Sequence, residues 1–383
     1  MSHISFNVAN SRPLIPRQQT YLLERKLVSI HSEDRDIKKY PKSNKFSITL
    51  PCPLENVQSI RMVECTFPIA YYTFRKEYQN TKLSFSLTAN NINMDYYSDM
   101  IGIPTNNQII TIEIQEGFYC PEDLAAEIQE KLNDGVTAWL GNNGITHTYE
   151  YLRCYYDKVG QRFWFGSIHD IFTLYFDKQE EYDLDCGQPN MWDKQTNWGL
   201  GWYLGFHKKT IIAKPSIDSV GNAAEIKFSY LGPAGVWLTP TSSSLPIYYC
   251  YAHCAPRLLG DRTIYMELNK YNSIDELVPN PTNTNSMYNN TWNAIVNSAF
   301  AKIPITDAPL GEFNDSRNGF LQNITHMDIP EEKIVKLDLL FRYHDGRLVE
   351  FCDAPFNFTL EFNCLKNEIA RAYDVRVPIT YTL

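Results

Sequence analysis

The chain has 383 residues and a net charge of −9, with 44% apolar, 21% charged and 14% aromatic residues. That length fits one elaborated domain or two ordinary ones, and the apolar share excludes a chain disordered by composition. Gly, at 18 residues, is too scarce for a collagen-like or Gly-rich fibre. The charge is unevenly spread. Residues 1–45 have a balance of +5, leaving −14 on the remainder. An acidic body argues against nucleic-acid binding by that body. No apolar run reaches the roughly 18 residues a membrane helix needs, and Met1–Leu14 lacks a signal-peptide core, so neither a spanning helix nor secretion by that route is expected.

Residues 1–26 read as an extended arm, with Pro13 and Pro16 blocking a helix. The arm is too polar to fold alone, yet it carries Leu14, Tyr21, Leu22 and Leu23 as apolar anchors. Arg12, Arg17, Arg25 and Lys26 would be drawn to an acidic neighbour. Arg12, Arg17, Tyr21, Leu22, Leu23, Arg25 and Lys26 are therefore the candidate contacts to another subunit, by strand addition to an exposed sheet edge. A solvated basic tail is the alternative.

From Leu27 onward the pattern is all-β, with short alternating runs separated by Pro, Asn and Gly. Eight core strands are expected, over 46–50, 57–67, 109–114, 162–166, 172–176, 263–268, 335–344 and 356–362. Pro51-Cys52-Pro53 is expected to end the first of these. Further strands are expected at 82–87, 225–230 and 300–305. Between 109–114 and 162–166, Pro121, Glu122 and Asp123 open a helix with Leu124, Ile128 and Leu132 on one face. Cys120 is a poor cap for it, and Asn133-Asp134-Gly135 is expected to stop it. A second short helix is expected near Asn290–Ser298, after a polar loop at Asn280–Asn290. In the run at 335–344, Val335, Leu337, Leu339, Phe341 and Tyr343 share a face. Asp345-Gly346 then suits a two-residue type I′ turn, which needs φ > 0 at both positions. One helix among this many strands gives a sandwich or barrel rather than an alternating α/β fold.

No catalytic, cofactor or metal residue emerges. Gly199, Gly201 and Gly205 only approximate a dinucleotide fingerprint, and packing under Trp198 and Trp202 explains them better. Cys250, His253 and Cys254 form half a zinc knuckle without a matching pair. Glu180, Glu181, Asp183 and Asp185 form a contiguous acidic loop, which solvation explains more simply than glycoside hydrolysis. Nine cysteines at irregular spacing suit reduced thiols in a cytosol-assembled protein. The Asn-x-Ser/Thr sites at Asn289, Asn314, Asn323 and Asn357 are read as chance. A glycan-binding β-sandwich stays open on aromatic content alone, and a glycosidase on the acids alone.

Taken in order, several blocks resemble minor capsid proteins of large nucleocytoplasmic DNA viruses. They are Ser32-Glu33-Asp34-Arg35-Asp36, Tyr40-Pro41, Phe46-Ser47-Ile48-Thr49-Leu50-Pro51 and Leu54-Glu55-Asn56-Val57-Gln58-Ser59-Ile60-Arg61. Glu116-Gly117-Phe118-Tyr119 and Leu204-Gly205-Phe206 follow. The last are Phe341-Arg342-Tyr343-His344-Asp345-Gly346-Arg347-Leu348-Val349 and Phe356-Asn357-Phe358-Thr359-Leu360. The blocks touch most of the chain from 30 to 365, and none of them falls within residues 1–26.

The resemblance implies an all-β jelly-roll β-sandwich, here with a large insertion at about 177–262 and one or two short helices. Residues 27–383 would then be one elaborated domain, the alternative being two β-sandwiches divided near 215. It implies a structural capsid component that stabilises or connects major-capsid capsomers, located in the virion and assembled in host cytoplasm. The implied partners are the major capsid protein and other minor capsid proteins, with the internal viral membrane nearby. No nucleic acid, small-molecule substrate or cofactor is expected. Asp34, Arg35 and Asp36 are expected to make a local turn, and the first and last strong strands to be neighbours in one sheet.

Overall fold

Alternating apolar residues at the two ends of the chain build one sheet, and the middle of the chain builds a second hydrophobic cluster. The structure, a computed structural model, describes residues 23–68, 72–88, 108–168, 170–184, 188–216, 247–278, 296–305, 313–315 and 323–365. In chain order, β1 is Leu23–His31, β2 Lys45–Pro68, β3 Lys82–Thr88 and β4 Ile110–Glu113. Helix α1, Pro121–Asn142, precedes β5 (Leu152–Asp157), β6 (Arg162–Ser167) and β7 (Ile171–Tyr175). Helix α2, Leu200–Leu204, precedes β8 (Thr210–Ile212), β9 (Lys214–Pro215) and β10 (Tyr248–Tyr251). The last strands are β11 (Thr263–Leu268), β12 (Ile274–Leu277), β13 (Val296–Ala299), β14 (Ala301–Pro304), β15 (Phe313–Asp315), β16 (Ile324–Arg342) and β17 (Asn357–Leu365).

The terminal sheet runs β1-β17-β2-β16-β11-β14, with β15 also on β2. Its pairs are antiparallel, and the first and last strands lie side by side from Leu23 opposite Leu365 to His31 opposite Asn357. Phe46, Phe67, Phe341, Phe351, Phe356 and Phe358 fill its inner face, with Phe67 and Phe356 ring centroids 5.0 Å apart. Such aromatic pairs add about 0.5–1.5 kcal/mol each beyond area burial. Ahead of β2, Arg35 donates to the carbonyls of Ser32 (2.5 Å), Tyr40 (3.0 Å) and Pro41 (3.2 Å). Asp34 and Asp36 accept from nearby backbone N–H groups, which fixes the local turn.

Two features of this sheet differ from the expected pattern. Pro51 and Pro53 do not end a strand: β2 continues through them for 24 residues. They sit at a bulge, where the register against β16 jumps between Ile334–Leu54 and Lys336–Thr49, so their missing N–H groups break no ladder. The same irregularity removes Val335 from the inward set. Ile334 is buried instead, Val335 is exposed, and inward alternation resumes at Leu337.

The second cluster takes its side chains from Phe74 to Leu258. Helix α1 covers sheets β4-β3-β7-β8 and β5-β6-β10-β9, burying Leu124, Ala125, Ile128, Leu132, Val136 and Leu140. It runs straight through the expected stop. Asn133 donates to the carbonyls of Gln129 and Leu152 and accepts from the Leu152 N–H, so its amide joins helix to strand. Gly135 is needed for close approach, since a Cβ there would sit 2.9 Å from the Ile112 side chain. Cys120 does act as the cap, its Sγ accepting the Asp123 N–H at 3.4 Å. At 22 residues α1 is not a short helix.

The second cluster draws its side chains from within 74–258, and the terminal cluster from the segments on either side together with Tyr78. Residue 215 lies inside a strand pair, with Pro215 opposite Tyr248. Val296–Ser298, expected at the end of a second helix, belongs to β13, paired with β12. The expected strand at 225–230, the loop at 280–290 and residues 1–22 lie outside the described residues.

Candidate functional site: a polar junction between two cores

The chain passes between the cores near Thr73 and again near Leu258, and these crossings are tied together by Thr73 Oγ1 donating to the Leu258 carbonyl at 2.9 Å. The turn after β16 delivers the charged centre of this junction. Gly346 N–H donates to the Tyr343 carbonyl, and Tyr343 N–H donates to the Arg347 carbonyl at 2.8 Å. Gly346 has φ +92°, whereas Asp345 stays out of the left-handed region. The turn is thus a three-residue loop with a glycine bulge, not the two-residue type I′ turn expected. Asp345 is held by its own contacts, with Oδ1 accepting the Arg347 N–H at 3.1 Å.

Phe341, Tyr343, Asp345, Arg347, Val349 and Phe351 are all buried, so the inward register passes through the turn and places two opposite charges inside. The Arg347 side chain is only 1% exposed. Its Nε donates to Asp345 Oδ2 at 2.8 Å, its Nη2 pairs with Asp261, and its Nη1 reaches Tyr203 Oη at 3.4 Å. The guanidinium lies over the Tyr78 ring at 4.7 Å and the Tyr343 ring at 5.3 Å. Asn197 Nδ2 donates to Asp345 Oδ2 at 2.7 Å. Tyr203 and Asn197 come from the side of the second core, Asp345 and Arg347 from the terminal core, and Asp261 from the crossing between them. This arrangement pins one core to the other.

Burial works to raise the Asp345 carboxyl, but the Arg347 charge and the Arg347 and Asn197 hydrogen bonds outweigh it and hold it below its usual range. Asp261 goes the other way: burial raises it, against the pull of Arg347. Burial pushes Tyr78 up to about 12, and also raises Tyr203 and Tyr343, so all three stay neutral. Burial lowers Arg347, yet the surrounding oxygens of Tyr203, Asp345 and Asp261 reverse that and leave it raised. One buried cation between two carboxylates and three rings satisfies its donors in a way water could not here.

A second buried arginine lies five residues earlier. Arg342 pairs with Glu267 and, at 2.8 Å, with Glu276, which also contacts His344 Nδ1. Beside the junction an open cleft of about 560 Å³ is lined by Asn197, Trp202, Tyr203, Arg257, Asp261 and His344, among others. Arg257 stacks on Trp202 at 4.5 Å, and Leu259 on the cleft wall is exposed.

The residues singled out from sequence are placed elsewhere. Leu23, Arg25 and Lys26 belong to β1 and pair with Leu365, Asn363 and Phe362 of the same chain, so the arm ends by residue 22. The reason is the alternation of Val28 and Ile30 toward the terminal core, which extends the strand back toward Leu23. Arg25 forms an ion pair with Glu361 at 2.5 Å. Arg12, Arg17, Tyr21 and Leu22 lie outside the described residues. Gly201 packs under Phe176 and Trp198, where a Cβ would come within 2.7 Å of Trp198. Gly205, with φ +87°, caps α2 against the Cys254 backbone; Trp202 instead stacks on Arg257. Cys250 is buried within the second core, while Glu180 meets Lys178 at 3.8 Å. No His/Cys/Asp/Glu group able to hold a metal occurs among the described residues. The eight cysteines among the described residues are free thiols.

Sequence reasoning missed Asp345, Arg347, Asp261, Asn197 and Tyr203 as a set. The signal for two of them was present: Asp345 and Arg347 occupy the positions the apolar alternation reserves for the core.

The molecule defined by these features is an all-β protein with antiparallel sheets, one long helix and two cores joined by a buried ionic cluster. No family model matches the chain, and no curated protein does. Among solved structures it is similar to a chain of the Sputnik virophage structure determined by cryo-EM, with TM-score 0.37, 12% identity, and coverage of 89% of this chain and 98% of that one. It is also similar to the mavirus penton protein, with TM-score 0.36, 9% identity, and coverage of 88% and 99%. Scores of this size mark partial likenesses and transfer neither a fold nor a function.

Proposed function

We propose that the chain is a structural minor capsid protein, which stabilises or connects major-capsid capsomers in an icosahedral large DNA virus particle. One observation carries this reading: the family-like blocks from the two ends of the chain, though far apart in sequence, meet in the terminal core, while those at 116–119 and 204–206 lie with the second core. Ser32 N–H donates to the Phe356 carbonyl at 2.8 Å, and the Phe356 N–H returns to Ser32 Oγ at 3.1 Å. Phe341 N–H donates to the Asn44 carbonyl at 2.8 Å. Phe46, Phe341 and Phe356 pack against one another, the last two edge to face with centroids 5.2 Å apart. The terminal blocks thus build a shared framework rather than scattered surface features, as expected of a structural rather than a catalytic protein.

On this reading residues 72–258 form a unit inserted into the terminal sheet, and the Arg347 cluster sets the angle between the two. A fixed angle is what a connector between capsomers requires. The basic segment before β1 is the proposed docking arm toward acidic capsid neighbours in the virion, assembled in host cytoplasm. The test is to remove residues 2–22 while keeping β1 intact. Quantitative mass spectrometry of purified particles should find the full chain at fixed stoichiometry and the folded truncated chain depleted. Absence of the full chain from particles would refute the capsid role; normal incorporation of the truncated chain would remove only the arm's part in it.

A further inference from the structure

The terminal turn of β10 meets the start of β6 and the segment after α2 at a corner rich in cations. Tyr251 is opposite Trp164, and Ala252 N–H donates to the Phe163 carbonyl at 2.9 Å, which brings His253 across from Arg162. Cys254 N–H donates to the Gly205 carbonyl at 2.9 Å, drawing His253 against Phe206 and His207. The His207 and His253 rings are 4.4 Å apart. Lys209 and Arg162 add their charges to the same corner. Arg162 lies 6.0 Å from the centre of the Tyr251 ring, and that ring is exposed.

Arg162, His207, Lys209 and His253 form no ion pair among the described residues, in a chain whose net charge is −9. Asp157 is opposite Arg162 on β5, but it is buried and accepts the Val159 N–H instead. His253 Nδ1 is buried without a hydrogen-bond partner. Burial and then the Lys209, His207 and Arg162 charges all lower its proton affinity, and no acid opposes them. The neutral form of His253 is therefore favoured, and an anion entering the corner would restore the charged one while neutralising Arg162 and Lys209.

We propose that Arg162, His207, Lys209 and His253 form an oxyanion-binding surface that receives carboxylates from an acidic segment of a neighbouring protein. The exposed Tyr251 ring flanks the surface and can pack against the methylenes of a Glu side chain. The body's own surplus of acid makes a second copy of the chain a source of such segments, through charge complementarity. A bound carboxylate stabilises the protonated imidazole, so binding strengthens as pH falls through the histidine range. The surface depends on local chemistry alone, and its fate is separate from that of the capsid role.

The test uses the full-length protein and an oligoglutamate peptide as probe, titrated in low salt at about pH 6 and about pH 8, the two sides of the imidazole range. Saturable binding is expected, tighter at the lower pH, with the His253 imidazole resonance titrating at higher pH when peptide is present. Lys209→Gln, on an exposed side chain, should weaken binding about threefold, and Arg162→Gln with Lys209→Gln by more. Three results overturn the proposal: no saturable binding, binding unchanged in the folded variants, or tighter binding of oligothymidylate than of oligoglutamate. The last would assign the surface to nucleic acid.

Discussion

Arginine meets carboxylate in two contrasting regions. At the junction, Arg347 is 1% exposed and bridges Asp345 and Asp261 between the cores. On the terminal sheet, Arg25 and Arg61 reach Glu361 from side chains that are 57% and 45% exposed. The chemical pair is the same, but solvent decides what it does. Water screens the two exposed arginines, and either can serve the buried Glu361 carboxylate if the other is lost, whereas nothing can replace Arg347 in a site closed by Tyr78, Tyr203 and Tyr343. Counting ion pairs would rank the two regions alike; burial separates them.

The largest effect should come from Arg347→Met, which leaves Asp345 and Asp261 without their cation. A loss of about 3 kcal/mol or more is expected in urea unfolding. Because the cluster spans the two cores, the single transition should also split into two. An unchanged midpoint would remove the distinction between the regions. Gly346→Val comes next, since φ +92° strains a β-branched residue in the turn that presents Asp345 and Arg347. Its cost should be about 1 kcal/mol or more in the same assay.

A pH comparison sharpens the sheet side. Burial raises Glu361, but Arg61 and Asn363 hydrogen bonds and the Arg61 and Arg25 charges outweigh it and hold it below its ordinary 4.5. A depressed carboxyl stabilises the fold above its unfolded value and loses that contribution as pH falls through the folded one. Wild type should therefore lose stability more steeply than Glu361→Gln below about pH 4.5 in thermal melts across an acid series. Parallel curves would show that the pair contributes nothing. The smallest effect is reserved for Arg25→Ala, below about 1 kcal/mol and vanishing at high salt. A salt-independent loss there would mean that β1 is held by more than screened charge.

Much of the terminal sheet was legible. The alternation of Leu337, Leu339 and Phe341, and the run at Phe356–Phe362, announced strands because period two is a local property. Bulges are not local. Pro51 and Pro53 looked like a terminus, since nothing in their neighbours says that β16 slips register opposite them. Helix α1 outran its apparent stop because Leu152 and Ile112, distant in sequence, supply partners for Asn133 and a close surface for Gly135. The junction was half legible. Asp345 and Arg347 sit at inward positions of a readable pattern, but their partners Tyr203, Asn197 and Asp261 come from distant segments with no pattern of their own.

The most direct measurement of the central claim is a cryo-EM map of the assembled particle at side-chain resolution. The account predicts density for this chain among the capsomers, with both cores present and Arg347 bridging Asp345 and Asp261 between them. Particles whose shell contains no density for this chain would contradict it.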